Sequence, residues 1–202
     1  LDIDLRLGVK TGVKAILETE PDVVILATGS LPVLCGFKAQ VLTADSVLSS
    51  APSFQGGTAA IVGGGSIGCE TALFLSQRGY RVELFEQFNQ VAQDMELISA
   101  WDLRERMGVA GIRIHLQSKV IDIHGRSLWI ASKGEKTIFG SFDLIVWAVG
   151  REPNRGLFEE LHQEGTYRGP VHVVGDAKEV GRIHDAVHQA YSTITIGLDS
   201  LP

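Results

Sequence analysis

The sequence is short of the features that define several protein classes. Its 202 residues include two cysteines, Cys35 and Cys69, and neither belongs to a C-x-x-C pair. No redox dithiol, zinc set or iron-sulfur ligand set can be assembled from them, and they read as ordinary core or loop thiols. Lys and Arg are scattered singly or in pairs through a chain of formal net charge -6. The concentrated positive face that nucleic-acid binding needs is missing, so no nucleic-acid partner is expected. The longest apolar runs, Val23 to Ala27 and Leu144 to Val149, are far too short to cross a bilayer, and the N-terminus lacks a charged-then-apolar signal. No membrane partner is expected, and a cytoplasmic location follows. The chain opens on Leu1, directly in an alternating pattern, which is the expectation for a piece of a longer polypeptide.

What is present is a hydrophobic content of 45%, enough for a buried core, arranged as alternating strand and helix patterns. Ile3, Leu5 and Leu7 alternate as a half-buried strand. Thr11 to Thr19 reads as a helix capped by Thr11, Asp22 to Ala27 as an apolar strand, and Thr43 to Ser49 as a short capped helix before a polar linker, Ser50 to Gly57. Ala59 to Val62, Ser66 to Arg78 and Arg81 to Glu86 then form a strand, helix and strand of the size expected for one β-α-β crossover. Glu96 to Met107 reads as an amphipathic helix. The short strands Ile112 to Leu116, Val120 to Ile123, Ser127 to Ala131 and Lys136 to Phe139 suit a β-meander. Asp143 to Ala148 is a buried strand, Pro153 to His162 a helix, Val171 to Val174 a strand and Val180 to Gly197 a final helix.

The stretches PDVVILATGSLP, from Pro21, and FDLIVWAVGREP, from Phe142, share an acid, an apolar strand, an Ala-x-Gly turn and a proline. With a β-α-β unit between the copies, the repeat implies one domain inserted into another, although any two buried parallel strands ending in a glycine turn would look alike.

Between the copies, Gly63-Gly64-Gly65-Ser66-Ile67-Gly68 satisfies G-x-G-x-x-G after an apolar strand and before a helix. Gly63 permits the tight turn, Gly65 lets a pyrophosphate approach the backbone, and Gly68 lets helix and sheet pack closely. The helix N-terminus offers free N-H groups and partial positive charge to phosphates. Glu86, ending the next strand, can accept both ribose hydroxyls of an adenosine and opposes a 2′-phosphate. Since Gln87 to Ala92 contain no Lys or Arg, NADH is preferred over NADPH. Glu70, on the second helical turn, could face the cofactor or be merely solvated. His184 and His188 stand i, i+4 on the final helix without a third ligand, so no metal site is expected. Gly175-Asp176 could place a carboxylate on a second cofactor, or Asp176 could cap a helix.

Taken together, Ala27-Thr28-Gly29, the GGGSIGCE stretch from Gly63 to Glu70, Glu86, AVGREPN from Ala148 to Asn154 and VVGDA from Val173 to Ala177 resemble a known region. It is the C-terminal region of NADH:flavin oxidoreductases of the 2,4-dienoyl-CoA reductase and trimethylamine dehydrogenase type. The resemblance covers nearly the whole chain. It implies an α/β architecture in which a Rossmann-like NAD(P)-binding domain, parallel sheet plus meander, at 51–150 is inserted into a truncated FAD/NAD(P)-binding three-layer domain built from 1–50 and 151–202. It also implies a parent with an N-terminal barrel holding FMN and an iron-sulfur cluster. By the same resemblance Gly175 and Asp176 contact the FAD ribityl or pyrophosphate region, Thr28 and Gly29 lie near that cofactor, Gly150 lies near the nicotinamide dinucleotide, and Glu70 reaches towards the nicotinamide.

The activity so implied is hydride transfer from NADH to flavin, with binding and orientation as the protein's part and no acid-base catalyst required. This stretch alone would be inactive and without FAD. Two rivals stand beside it: a structural module holding an ADP-type nucleotide, and an interaction protein without a usable site. The absence of C-x-x-C inside the nicotinamide domain departs from thioredoxin reductases.

Overall fold

The computed structural model describes residues 3–49, 56–163 and 167–197. After an extended segment come α1 (Val13–Leu17), β1 (Val24–Leu26) and β2 (Ser30–Pro32). Next are β3 (Leu42–Thr43), α2 (Ala44–Ser49), β4 (Gly57–Val62), α3 (Ser66–Ser76), β5 (Tyr80–Phe85), α4 (Leu97–Val109) and β6 (Arg113–His115). β7 (Lys119–His124), β8 (Ser127–Ser132) and β9 (Glu135–Gly140) precede β10 (Leu144–Trp147) and β11 (Arg151–Pro153). The chain ends in α5 (Gly156–Gln163), β12 (Val171–Val173), a 3-10 turn at Gly175–Ala177, α6 (Ile183–Ser192) and a π-helical turn at Thr193–Gly197. No helix among the described residues is long and apolar enough to cross a membrane.

These elements form two compact units: a central one, Pro32–Gly150, and an outer one built from Leu1–Leu31 and Arg151–Pro202. In the central unit five parallel strands run in the order β3-β10-β4-β5-β6. Successive side chains of a strand point to opposite faces. Along β4, Ala59 and Ile61 pack with Cys69, Ala72 and Leu75 of α3 and with Leu103 and Met107 of α4. Ala60 and Val62 instead join Val120, Ile123, Leu128 and Ile130 beneath the antiparallel meander β7-β8-β9. Both faces being covered there, Ala59 to Val62 are all buried and apolar, which is why they read as an unbroken run.

The outer unit is smaller. β1 pairs in parallel with β12, Val24 opposite Val171 and Leu26 opposite Val173, and β2 pairs with β11. Its core is Val13, Val24, Leu26 and Leu161, with Ile16, Leu17 and Phe158 packed around them.

Several expectations are corrected. Ile3, Leu5 and Leu7 form no strand and are 75%, 71% and 79% exposed, because no other described strand pairs with this segment. The first helix starts at Val13 after Gly12, with no side-chain cap from Thr11, and ends at Leu17. Pro153 ends strand β11, which pairs with β2, rather than starting the helix expected from Pro153 to His162, and α5 runs from Gly156 to Gln163. The last α-helix runs from Ile183 to Ser192 rather than from Val180 to Gly197. Residues 32–49 group with the central unit rather than with the outer segment, because β3 pairs with β10 and Ala44 and Val47 of α2 join the helical-face core. The linker expected at Ser50 to Gly57 lies, apart from its last two residues, outside the described residues.

Candidate dinucleotide-binding site

At the C-terminal end of β4 the chain turns through Gly63, at φ +105°, into α3. Three of the four glycines are required by the protein itself. A Cβ on Gly63 would overlap the carbonyl oxygen of Ala148, one on Gly68 the carbonyl oxygen of Gly63, and one on Gly64 would press on the Val91 and Glu86 side chains. Gly65 is different. Its backbone sits at φ -68°, open to any residue, and the nearest atom to a Cβ there would be an oxygen of Asp94 at 3.5 Å, an ordinary contact. Neither backbone conformation nor internal packing demands glycine at this position, and what it leaves is an open approach to the backbone at the mouth of α3.

Glu86 follows β5 and is 6% exposed. Its Oε2 accepts the Gly64 N-H at 2.6 Å and its Oε1 the Phe88 N-H at 2.8 Å. Two backbone donors thus hold the buried charge and tie the acid to the glycine turn. Each carboxylate oxygen can accept a further hydrogen bond, which is what two ribose hydroxyls would supply.

The loop after Glu86 folds back over the turn. Ala92 donates its N-H to Gly64 O at 2.7 Å, and Val91 and Ala92 are buried. It delivers Asp94, which the sequence reasoning missed, to the N-terminus of α3. Its Oδ1 accepts the Ser66 N-H at 2.9 Å and its Oδ2 the Ser66 hydroxyl at 2.6 Å. No linear signal marks this residue; only the fold back of the loop brings it there. Beneath lies Cys69, whose thiol is pushed up to about 12 by burial first and by the Asp94 carboxylate next. It is therefore a neutral packing group that bonds weakly to Gly64 O at 3.4 Å.

The remaining expected residues are distributed. Ile67 packs against the helical-face core of the central unit. Glu70 is exposed and lines a groove between α3 and α4 with Phe74, Trp101 and Arg106. Gly150, at φ +124°, accepts the Val33 N-H at 3.1 Å through its carbonyl.

Within the outer unit, Thr28 donates its hydroxyl to Asn154 O at 2.7 Å, and Asn154 N-H donates to Gly29 O at 3.0 Å. Gly175, at φ +62°, donates its N-H to Gln189. Asp176 accepts the Ser30 hydroxyl at 3.0 Å and the Gly181 N-H at 3.2 Å, so it does not cap α6. Arg151 binds Ser30 through both hydroxyl and carbonyl, at 2.8 and 2.7 Å. Ser30 thus clasps Arg151 and Asp176, 121 and 146 residues away, an arrangement that sequence reasoning did not name. His184 and His188 stack 6.3 Å apart, and no group of three metal-ligating side chains is assembled among the described residues.

A family model for pyridine nucleotide-disulphide oxidoreductases matches residues 7–182. The chain belongs to this family. A NADH oxidase of Thermoanaerobacter brockii is 34% identical over 197 residues, covering 94% of this chain and 30% of that protein. A bilirubin reductase of Mediterraneibacter gnavus is 31% identical over 196 residues, covering 95% and 30%. Among solved structures, histamine dehydrogenase from Rhizobium sp. 4-9 superposes with a TM-score of 0.83 at 18% identity over 96% of this chain and 31% of its own. A 2-naphthoyl-CoA reductase does so with 0.81 at 19% over 94% and 29%. The chain thus spans about 30% of the length of the relatives it matches. The resemblance to the FAD/NAD(P)-binding region of the dienoyl-CoA reductase and trimethylamine dehydrogenase type holds. The chain is thus a pyridine nucleotide-disulphide oxidoreductase domain.

Proposed function

We propose that the central unit binds NADH and orients it for hydride transfer to a flavin within a larger parent enzyme. The observation that carries this is the pairing of the unfilled approach at Gly65 with the buried Glu86 carboxylate, tied to the same turn through Gly64 N-H. The first suits a pyrophosphate and the second an adenosine ribose. When bound, the nicotinamide supplies a hydride and the flavin the acceptor. The chain's own residues bind and position. Ser66 and the start of α3 hold phosphate oxygens, Glu86 selects the unphosphorylated ribose, and Gly150, after β10, borders the nicotinamide half. Thr28, Gly29, Gly175 and Asp176 are assigned to the flavin, with Ser30 and Arg151 fixing the Asp176 carboxylate. On this reading the remainder of the parent would hold FMN and an iron-sulfur cluster in a barrel, the groups that would supply its further redox chemistry.

Calorimetric titration with NADH and NADPH tests the reading. Hydrogen bonds to a charged group contribute roughly 1.5 to 3 kcal/mol, so Glu86 should favour NADH by about ten- to a hundredfold. Gly65→Val should abolish binding while circular dichroism stays that of the parent chain. Glu86→Ala should erase the preference. It also leaves the Gly64 and Phe88 N-H groups without their acceptor, so its folding is checked alongside. Equal affinities in the wild type would overturn the role of Glu86. Saturable ADP binding with no gain from the nicotinamide half would favour a structural nucleotide module instead.

A further inference from the structure

The first four N-H groups of an α-helix, that of the N-cap included, have no acceptor within the helix. In α3 the first internal bond is Cys69 N-H to Gly65 O at 3.0 Å, so the Ser66 N-H is among those open to an outside anion. That N-H is already engaged by a carboxylate 28 residues away. Asp94 accepts it through both oxygens, at 2.9 and 3.1 Å, and the Ser66 hydroxyl adds a third bond at 2.6 Å. The same carboxylate is the protein group nearest the space in front of Gly65, at 3.5 Å from where a Cβ would stand. The space kept clear by the missing side chain is thus bordered by the chain's own negative charge.

The placement is built in. Ala92 is anchored to Gly64 O, Val91 and Ala92 are buried, and Ala92 takes a left-handed conformation at φ +56° that bends the loop towards the helix. A pyrophosphate and a carboxylate seek the same donors and the same partial positive charge. Held together they would also repel, with the Glu86 carboxylate bonded to the neighbouring Gly64 N-H.

We propose that Asp94 is an internal competitor of the dinucleotide pyrophosphate: its carboxylate holds the N-terminus of α3 in the free protein and is displaced when the nucleotide binds. The proposal rests on the reading of the central unit as a NADH site. It makes Asp94 a determinant of affinity, because nucleotide engages only the fraction of molecules from which the carboxylate has withdrawn. It also gives the two states different stabilising contacts. The free protein uses Asp94 as a remote helix cap, and the bound protein uses phosphate.

The test is calorimetric titration of the full 202-residue chain with NADH and with ADP, which carries the pyrophosphate without the nicotinamide. Wild type, Asp94→Asn and Asp94→Ala are compared, with thermal unfolding of each alone and at saturating nucleotide. Asp94→Ala should bind both ligands roughly tenfold more tightly, the size expected for removing a competing charge at a helix terminus. Asp94→Asn, which keeps the shape of the side chain and an acceptor for Ser66, should gain less and guards against misfolding of the alanine variant. Asp102→Ala removes the same charge from the exposed face of α4, where Asp102 pairs with Arg106, and should leave affinity unchanged.

The free Asp94→Ala protein should melt below the wild type, and saturating NADH should narrow that gap. Binding by the Asp94 variants alone, with wild type silent, would support the proposal most strongly. Equal or weaker binding by both variants, with wild type binding, would make Asp94 a permanent cap and overturn the proposal while leaving the NADH site in place. No binding by any of the proteins would overturn both.

Discussion

The central and outer units are built from similar strands to very different depths. In the central unit β4 is sandwiched between helices and meander, and Ile61, Leu75, Leu84, Phe85, Met107, Ile123, Leu128 and Ile130 are all fully buried. Among the described residues of the outer unit only Leu161 belongs with these largest fully buried side chains. Its helix α6 turns Ile183, Val187 and Tyr191 outward at 85%, 62% and 67% exposure, at the spacing of one helical stripe. A fully buried aliphatic side chain contributes roughly 1.5 to 3 kcal/mol, so folding free energy is concentrated where both sheet faces are covered. A nucleotide cradle needs rigid walls, and the proposed one sits in that unit.

The largest effect that sharpens this contrast is a core truncation. Leu84→Ala, in the centre of β5, should cost about 2 to 5 kcal/mol, whereas Val187→Ala should stay within about 0.5 kcal/mol. All three tryptophans, Trp101, Trp129 and Trp147, belong to the central unit. Urea unfolding followed by tryptophan fluorescence therefore reads that unit directly. Similar midpoint shifts for the two variants would erase the distinction.

The same contrast governs what could be read in the sequence. β4 and β10 are legible as uninterrupted apolar runs because both their faces are covered, and the glycine turn is legible because Gly63 and Gly68 answer to backbone collisions at fixed spacing. Glu86 stands out in the sequence because it directly follows a strand. Asp94 does not, because a loop folding back over Gly64 places it and no period encodes that path. The Ser30, Arg151 and Asp176 clasp joins residues 121 and 146 positions apart, a closeness only the fold creates. Ile3 to Leu7 has the period of a strand, yet a strand exists only with a hydrogen-bonding partner. The allegiance of residues 32–49 hangs on β3, too short to show any period.

Glycine substitutions probe the contrast next. Gly68→Ala sets a methyl group against the Gly63 carbonyl oxygen and forces α3 off the strand. It should cost the upper part of roughly 1 to 3 kcal/mol and weaken NADH binding through the displaced turn. Gly175→Ala in the outer unit meets only the Ala186 methyl at 3.5 Å, leaving the left-handed conformation at φ +62° as its main penalty, about 1 to 2 kcal/mol. Its tryptophan-monitored midpoint should match the wild type. A shifted midpoint would mean that the outer unit props up the central one.

Thiol labelling offers a smaller readout. Cys35 is half-buried, while Cys69 is buried, with its thiol pushed up to about 12. In native protein at neutral pH Cys35 should react with a thiol reagent first and Cys69 only on opening of the central unit, since the thiolate is the nucleophile. Leu84→Ala should accelerate Cys69 labelling and Val187→Ala should not. Rapid labelling of Cys69 in the wild type would show the central core to be loose.

The smallest effect is expected from two exposed aspartates, one in each unit. Asp143 accepts the Thr58 N-H and hydroxyl, both at 2.8 Å, and is paired with Arg126. Asp185 accepts the Arg182 N-H at 2.9 Å at the start of α6. Both carboxyls are held below their ordinary value, in each case first by the backbone donor. A folded-state value lowered in this way adds stability at pH above the unfolded value, and that stability is lost as pH falls through the folded one. The consequences differ in reach. Asp143 joins β10 to β4 across 85 residues, whereas Asp185 spans three. Hydrogen exchange between about pH 5 and about pH 2 should therefore show Thr58 and its neighbours on β4 losing protection together as Asp143 protonates. Asp143→Asn should remove that acid step, while Asp185→Asn should change exchange only in the first turn of α6. If Asp185→Asn altered the acid response of β4, the aspartate on the thinner unit would be stabilising the thicker one, and the separation of the two would fail.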